Sequence, residues 1–206
     1  MRRSRIVLAL SLFVAALLPR SAGADPYLYL SPTVGAWHWD DKAYPDLEFA
    51  HPMTAMFGAR GGYAFTQAFS GELVALTGTN NATPTGQTAP VKGLRLTELD
   101  LSLLVHFQSL TSTKVYPFLA LGLGTVLRKG SPSSLDDSPT SFHLGGGLMY
   151  LLSPRFVLRA NVRDTFFTDK RHSGNVTTQP TVDSLELSLG LELRVPVRGS
   201  GSHRPE

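Results

Sequence analysis

The chain has 206 residues, 42% of them hydrophobic, with 19 glycines, 14 prolines and no cysteine. That length suits one domain of ordinary size, and the lack of cysteine excludes disulfide staples and thiolate metal sites. The formal charge of +3 looks basic, yet the excess sits in the first two dozen residues and does not support a nucleic-acid partner.

Those first residues read "MRRSRIVLALSLFVAALLPRSAGA". Arg2, Arg3 and Arg5 form a positive n-region, Ile6 to Leu18 an apolar h-region, and Ala22-Gly23-Ala24 a small-x-small cleavage site. The pattern is that of an export signal, residues 1–24, cleaved after Ala24. Its removal takes four of the 19 basic residues and none of the 16 acidic ones, leaving a net charge of −1.

The remaining chain has no apolar run of the roughly 18 residues that a transmembrane helix needs. It repeats a different unit, an alternating segment followed by a polar break. Eight such segments follow in order: Tyr27–Trp39, Met53–Phe65, Phe69–Gly78, Leu94–Phe107, Val115–Leu127, Ser141–Leu152, Arg155–Phe167 and Asp183–Val195. The connections alternate in length. Asp40–Pro52, Thr79–Gly93, Lys129–Thr140 and Thr168–Val182 are long and polar, whereas Thr66–Ala68, Gln108–Lys114 and Ser153–Pro154 are short. Short turns at one end and long loops at the other mark an up-and-down barrel that spans a membrane. In hydrocarbon every backbone N–H and C=O must be paired within the protein, so such a sheet has to close.

The faces of the segments agree with this. Leu99, Leu101, Leu103, Val105 and Phe107 oppose Glu98, Asp100, Ser102 and His106, with Leu104 as an exception. Phe156, Leu158, Ala160 and Val162 oppose Arg159, Asn161 and Arg163. In "SLELSLGLELRV", Ser184–Val195, every second residue is leucine or valine. A soluble eight-stranded barrel would put its aliphatics inside; a membrane barrel puts them outside. Asp164 falls on the aliphatic face, either at the outer rim or at a bulge. In the first segment Tyr27, Tyr29, Trp37 and Trp39 oppose Leu28, Leu30, Val34 and Ala36, and the inner face is not decided. Trp37, Trp39, Phe65, Phe69, Phe107, Tyr116, Phe118, Phe156, Phe166 and Phe167 lie near segment ends, where interfacial girdles are expected.

The expected fold is therefore all-β: an eight-stranded antiparallel up-and-down transmembrane β-barrel over residues 25–195, preceded by the cleaved signal and followed by a flexible tail, residues 196–206. Its inward charges are Arg60, Glu72, Glu98, Asp100, Arg159, Arg163, Glu186, Glu192 and Arg194. Eight strands leave room for little more than side chains, and unpaired buried charges are unfavourable. These residues are expected to plug the lumen as a polar network; a narrow or gated channel is the alternative. No cofactor and no metal are expected, because the motifs that hold them are missing. His172 and Ser173 in "KRHSGN" are adjacent and lie in a loop, which does not match the spacing of a lipid A deacylase. "GLG" at 122–124 and "GGG" at 145–147 fall in strands, where glycine allows curvature and close approach.

"YPFLALGLGTVL", "FHLGGGLMYLLSPRFVLRANVRD" and "LELSLGLELRV" together give a resemblance to the OmpA-like eight-stranded outer-membrane β-barrel proteins of Gram-negative bacteria. The resemblance implies the outer membrane, contact with its lipid and lipopolysaccharide, and assembly by the barrel-assembly machinery. It also implies a C-terminal assembly signal, matched by Ser188, Gly190, Leu193 and Val195, although here "PVRGSGSHRPE" follows where relatives end on an aromatic. No cell-wall-binding domain is expected. The function it implies is structural or surface interaction, non-enzymatic, with four extracellular loops meeting an extracellular or envelope protein and no nucleic acid. A small channel or transporter for small or apolar solutes, and a lipid A-modifying enzyme, remain as alternatives.

Overall fold

A computed structural model gives the architecture; it describes residues 26–39, 47–49, 53–84, 91–107, 114–129, 138–168, 171–173, 176–178 and 181–197. The expected signal segment 1–24 and residues 198–206 of the expected tail lie outside the described residues. In chain order the strands are β1 (Tyr27–Trp39), β2 (Leu47–Phe49), β3 (Met53–Ala64), β4 (Phe69–Pro84), β5 (Val91–His106), β6 (Val115–Lys129), β7 (Thr140–Leu151), β8 (Phe156–Thr168), β9 (Arg171–Ser173), β10 (Val176–Thr178) and β11 (Thr181–Pro196).

Eight of these make one closed ring. β1 pairs with β3 and with β11; the order runs on through β8, β7, β6 and β5, and the β4–β5 pairing shuts it. Every pairing is antiparallel, and β1 joins the two ends of the chain through Tyr27↔Pro196 to Trp39↔Ser184. Val197 continues the seam, its amide donating to Pro26 O at 2.9 Å. The short connections at residues 65–68 and 152–155 are bends. In the first, Thr66 Oγ1 accepts from the amides of Ala68 and Phe69, both at 3.1 Å.

The alternation decides which face is which. Leu73, Leu101 and Leu123 are more than 60% exposed, whereas Glu72, Glu98 and Glu186 are at most 2% exposed. The aliphatics line the outside as a continuous band, and a band that size requires lipid rather than water. In β1, Leu28, Leu30 and Val34 are exposed while Tyr29 and Trp37 are buried, so its aromatic face points inward.

Four expectations change. Trp37, Tyr116 and Phe118 are no part of a girdle: they are buried in the lumen. Phe65 and Phe156 are exposed and Phe69, Phe107 and Phe166 half-buried at the rims; the side chains of Trp39 and Phe167 lie outside the described residues. Asp164 marks no bulge, because β8 holds one unbroken register against both neighbours, Asp164 facing Leu144 and Leu185. It sits at the rim beside the stacked Phe142–Phe166 pair, 6.5 Å apart. The segment Thr79–Gly93 is largely strand, since β4 and β5 pair on to Ala82↔Val91 through a register shift after Asn80. Gly93, at φ +72°, takes a left-handed turn within this extension that a side chain would strain. β2 adds to the same extension by pairing with Ala82–Pro84. Finally, Thr168–Val182 contains the β9–β10 hairpin, so His172 and Ser173 stand in a short strand, His172 facing Thr177.

Candidate functional site

Among the described residues, the chemistry-bearing side chains converge in the lumen. All nine predicted inward charges are buried there, Arg194 the most exposed at 9%. Each inward position follows from the two-residue repeat of its strand, and the closed ring turns those positions toward a common axis.

Seven of the charges form one connected belt. Arg159 grips Glu72 with both terminal nitrogens, Nη2 reaching Oε1 at 3.1 Å and Nη1 reaching Oε2. Tyr29 donates to the same Oε2 at 3.1 Å. Arg60 bridges Glu72, at 3.4 Å, and Glu186. Arg163 then links Glu186 to Glu98 at 2.6 Å and Asp100 at 2.8 Å. Hydroxyls complete the carboxylates: Ser188 donates to Glu186 at 2.5 Å, and Thr165 to Glu98 at 3.2 Å. Asn161 accepts from Arg159 Nε at 2.7 Å and donates to Ser188 at 3.2 Å. Glu192 and Arg194 form a separate pair at 2.7 Å, with Arg194 also donating to the Tyr116 hydroxyl and lying 4.7 Å over the Tyr27 ring.

The belt has an apolar floor that the charge pattern did not indicate. Leu104, Tyr116, Phe118, Ala120, Met149 and Val157 pack as one buried cluster at the end with the short turns. Arg159 caps it, its guanidinium 4.6 Å above the Phe118 ring. Leu104, the exception on its strand, is an inward residue of this floor. Toward the other end Met56, Leu76, Leu94, Leu96 and Val126 are buried as well.

Glycine makes room for the belt. A Cβ on Gly124 would meet the Asp100 carboxylate, with Cγ at 2.7 Å, and one on Gly122 would meet His143 Cε1 at 2.6 Å. The glycines of "GLG" thus seat the residues facing them.

Ser102, His143 and Asp100 meet here in the order of a hydrolytic triad. Ser102 Oγ is 2.9 Å from His143 Nε2, and His143 Nδ1 is 3.7 Å from Asp100 Oδ2. Asp100 is already bound by Arg163 through that same oxygen, and Ser102 and His143 are 4% and 0% exposed. A nucleophile must be reachable by its substrate, so this constellation belongs to the packing of the belt. Among the described residues no group of three or more His, Asp or Glu side chains could hold a metal ion.

The residues expected to carry an assembly signal divide between faces: Ser188 and Gly190 point inward, and Leu193 and Val195 point outward.

The family model for the outer membrane protein beta-barrel domain matches residues 6–194. The chain belongs to this family. It is an outer-membrane β-barrel protein. Its fold is similar to that of Neisserial surface protein A, with a TM-score of 0.53 at 20% identity over 84% of this chain and 99% of that one. It is similar to OprG from Pseudomonas aeruginosa, with a TM-score of 0.53 at 14% identity over 84% and 97% of the two chains. It is also similar to E. coli outer membrane protein W, with a TM-score of 0.52 at 14% identity over 84% and 100%. At these identities the likeness concerns the fold alone. No curated protein matches the sequence.

Proposed function

We propose that this barrel is a closed, non-enzymatic structural element of the outer membrane that presents its long connections outside the cell to an extracellular or envelope protein. The observation that carries the reading is the belt running Glu72–Arg60–Glu186–Arg163–Asp100 across the lumen above an apolar floor. Ion pairs of this burial hold only while their partners stay in place, and they fill the cross-section that solutes would use. The β4–β5 extension with β2 raises a paired sheet above the rim on the side of the long connections, a rigid platform for a partner. Cleavage after Ala24, delivery to the barrel-assembly machinery through Ser188, Gly190, Leu193 and Val195, and contact with outer-membrane lipid and lipopolysaccharide complete the reading.

Planar-bilayer recording of the purified protein tests it. A silent bilayer is the expected result, with unitary conductance steps refuting the closed lumen.

A further inference from the structure

The charges of the belt do not balance. Arg60, Arg159 and Arg163 supply three positive charges, and Glu72, Glu98, Asp100 and Glu186 supply four negative ones, every one of these residues at most 4% exposed. The pairing locates the surplus. Glu72 is taken by both terminal nitrogens of Arg159, and Glu186 by Arg60. Arg163, which also reaches Glu186, is left to serve both Glu98 at 2.6 Å and Asp100 at 2.8 Å. The Glu192–Arg194 pair stands apart and is balanced within itself.

Among the described residues no further cation reaches these two carboxylates. β6 faces Glu98 and Asp100 with Val126 and Gly124; its inward Arg128, opposite Leu96, is a partner of neither. β1 meets Glu186 with Trp37, and β4 contributes Glu72, beyond Arg60 of β3. β7 brings His143, whose Nδ1 is 3.7 Å from Asp100 Oδ2 and has no hydrogen-bond partner, while its Nε2 meets Ser102 at 2.9 Å.

Two carboxylates that share one cation in a buried site stay charged together only at high cost, and a proton is the smallest counter-charge that relieves it. Glu98 has a place for one. Its Oε2 keeps Arg163, and its Oε1 lies 3.2 Å from Thr165 Oγ1, a hydroxyl that can accept as well as donate. Asp100 has none: its Oδ2 is held by Arg163, and its Oδ1 is buried without a hydrogen-bond partner, so a proton there would find no acceptor.

We propose that the folded barrel holds one proton on Glu98 at neutral pH, taken up as the belt closes around Arg163. The unfolded chain releases that proton above about pH 4.3. The folded state therefore binds one proton more, and stability falls as pH rises until folded Glu98 also ionises. The lock across the lumen is loosened by base, the reverse of an ordinary salt-bridged carboxylate.

Urea unfolding of the full chain in vesicles tests this, with E98Q as the reference, since it keeps an acceptor for Arg163 and lacks the titrating group. The wild-type unfolding constant, divided by that of E98Q at the same pH, should rise about tenfold per pH unit from about pH 5.5 to about pH 7. A ratio that is flat or falls over that range would overturn the proposal. Infrared spectra in an ester-free detergent do not depend on how the variant folds. The folded wild type should show the carbonyl band of a protonated carboxylic acid at neutral pH, and E98Q or D100N, whichever folds, should lose it. Absence of the band from the wild type, or its persistence in either folded variant, would overturn the proposal. The bilayer recording reads the gap around the belt and these measurements read its charge, so the two readings fail separately.

Discussion

Removing the Glu72 carboxylate should be among the most damaging single changes to the barrel. Glu72 is 1% exposed and receives Arg159 at both oxygens, Arg60 at 3.4 Å and Tyr29 at 3.1 Å. In Glu72→Ala, Arg60 keeps Glu186. Arg159 has no such second carboxylate, and only Nε, on Asn161, keeps its acceptor. The loss is then close to that of orphaning one buried charge, about 3–5 kcal/mol. Glu72→Leu combined with Arg159→Met removes both ends and should lose less than Glu72→Ala alone. Urea unfolding in phospholipid vesicles, followed by the fluorescence of Trp37 and Trp39 and extrapolated linearly, measures both. A Glu72→Ala midpoint matching wild type, with a shift of less than about 1 kcal/mol, would mean that water or rearrangement replaces the ion pair, and the belt would not be the element that holds the lumen shut.

Other expectations follow from the same geometry. Leu121→Lys, on the lipid face and opposite Leu103 and Leu144, should destabilise the barrel by about 2–4 kcal/mol in the same unfolding assay. Leu104→Ala, in the floor and fully buried, should lower stability by about 2–5 kcal/mol through the cavity it leaves while the fold persists. Gly124→Val must displace the Asp100 carboxylate and should reduce the heat-modifiable, folded fraction on semi-native gels; an unchanged fraction would refute the packing argument.

The strands were legible because a membrane barrel imposes a two-residue repeat wherever it touches lipid. Leu99 to Phe107 and Leu185 to Val195 declare their faces without reference to any partner. Where lipid ends, so does the constraint. The β4–β5 extension to Ala82↔Val91 is rich in Thr, Asn, Pro and Gly and reads as loop, yet it is held by pairing that composition does not reveal. The inward list of charges was readable from alternation, but its pairing was not. Arg60 and Glu186 are 126 positions apart, and Arg159 and Glu72 are 87 apart; only closure of the ring brings them together. Tyr116 and Phe118 read as girdle because aromatics near strand ends usually meet the interface. The deciding fact is the face, shared with Ala120 and Gly122, and that signal was present in the alternation of β6.

The belt and the floor differ in kind, and they lie in series along one axis. An ion that loosened Arg163 from Asp100 would still face the packed layer made by Leu104, Phe118, Met149 and Val157, beside which Arg194 is bound to the Tyr116 hydroxyl. A solute that wedged apart the floor would meet fixed charges above it. If the lumen is closed as proposed, leakage needs two failures of opposite character at once, and single substitutions in either layer should weaken the protein long before they open the envelope.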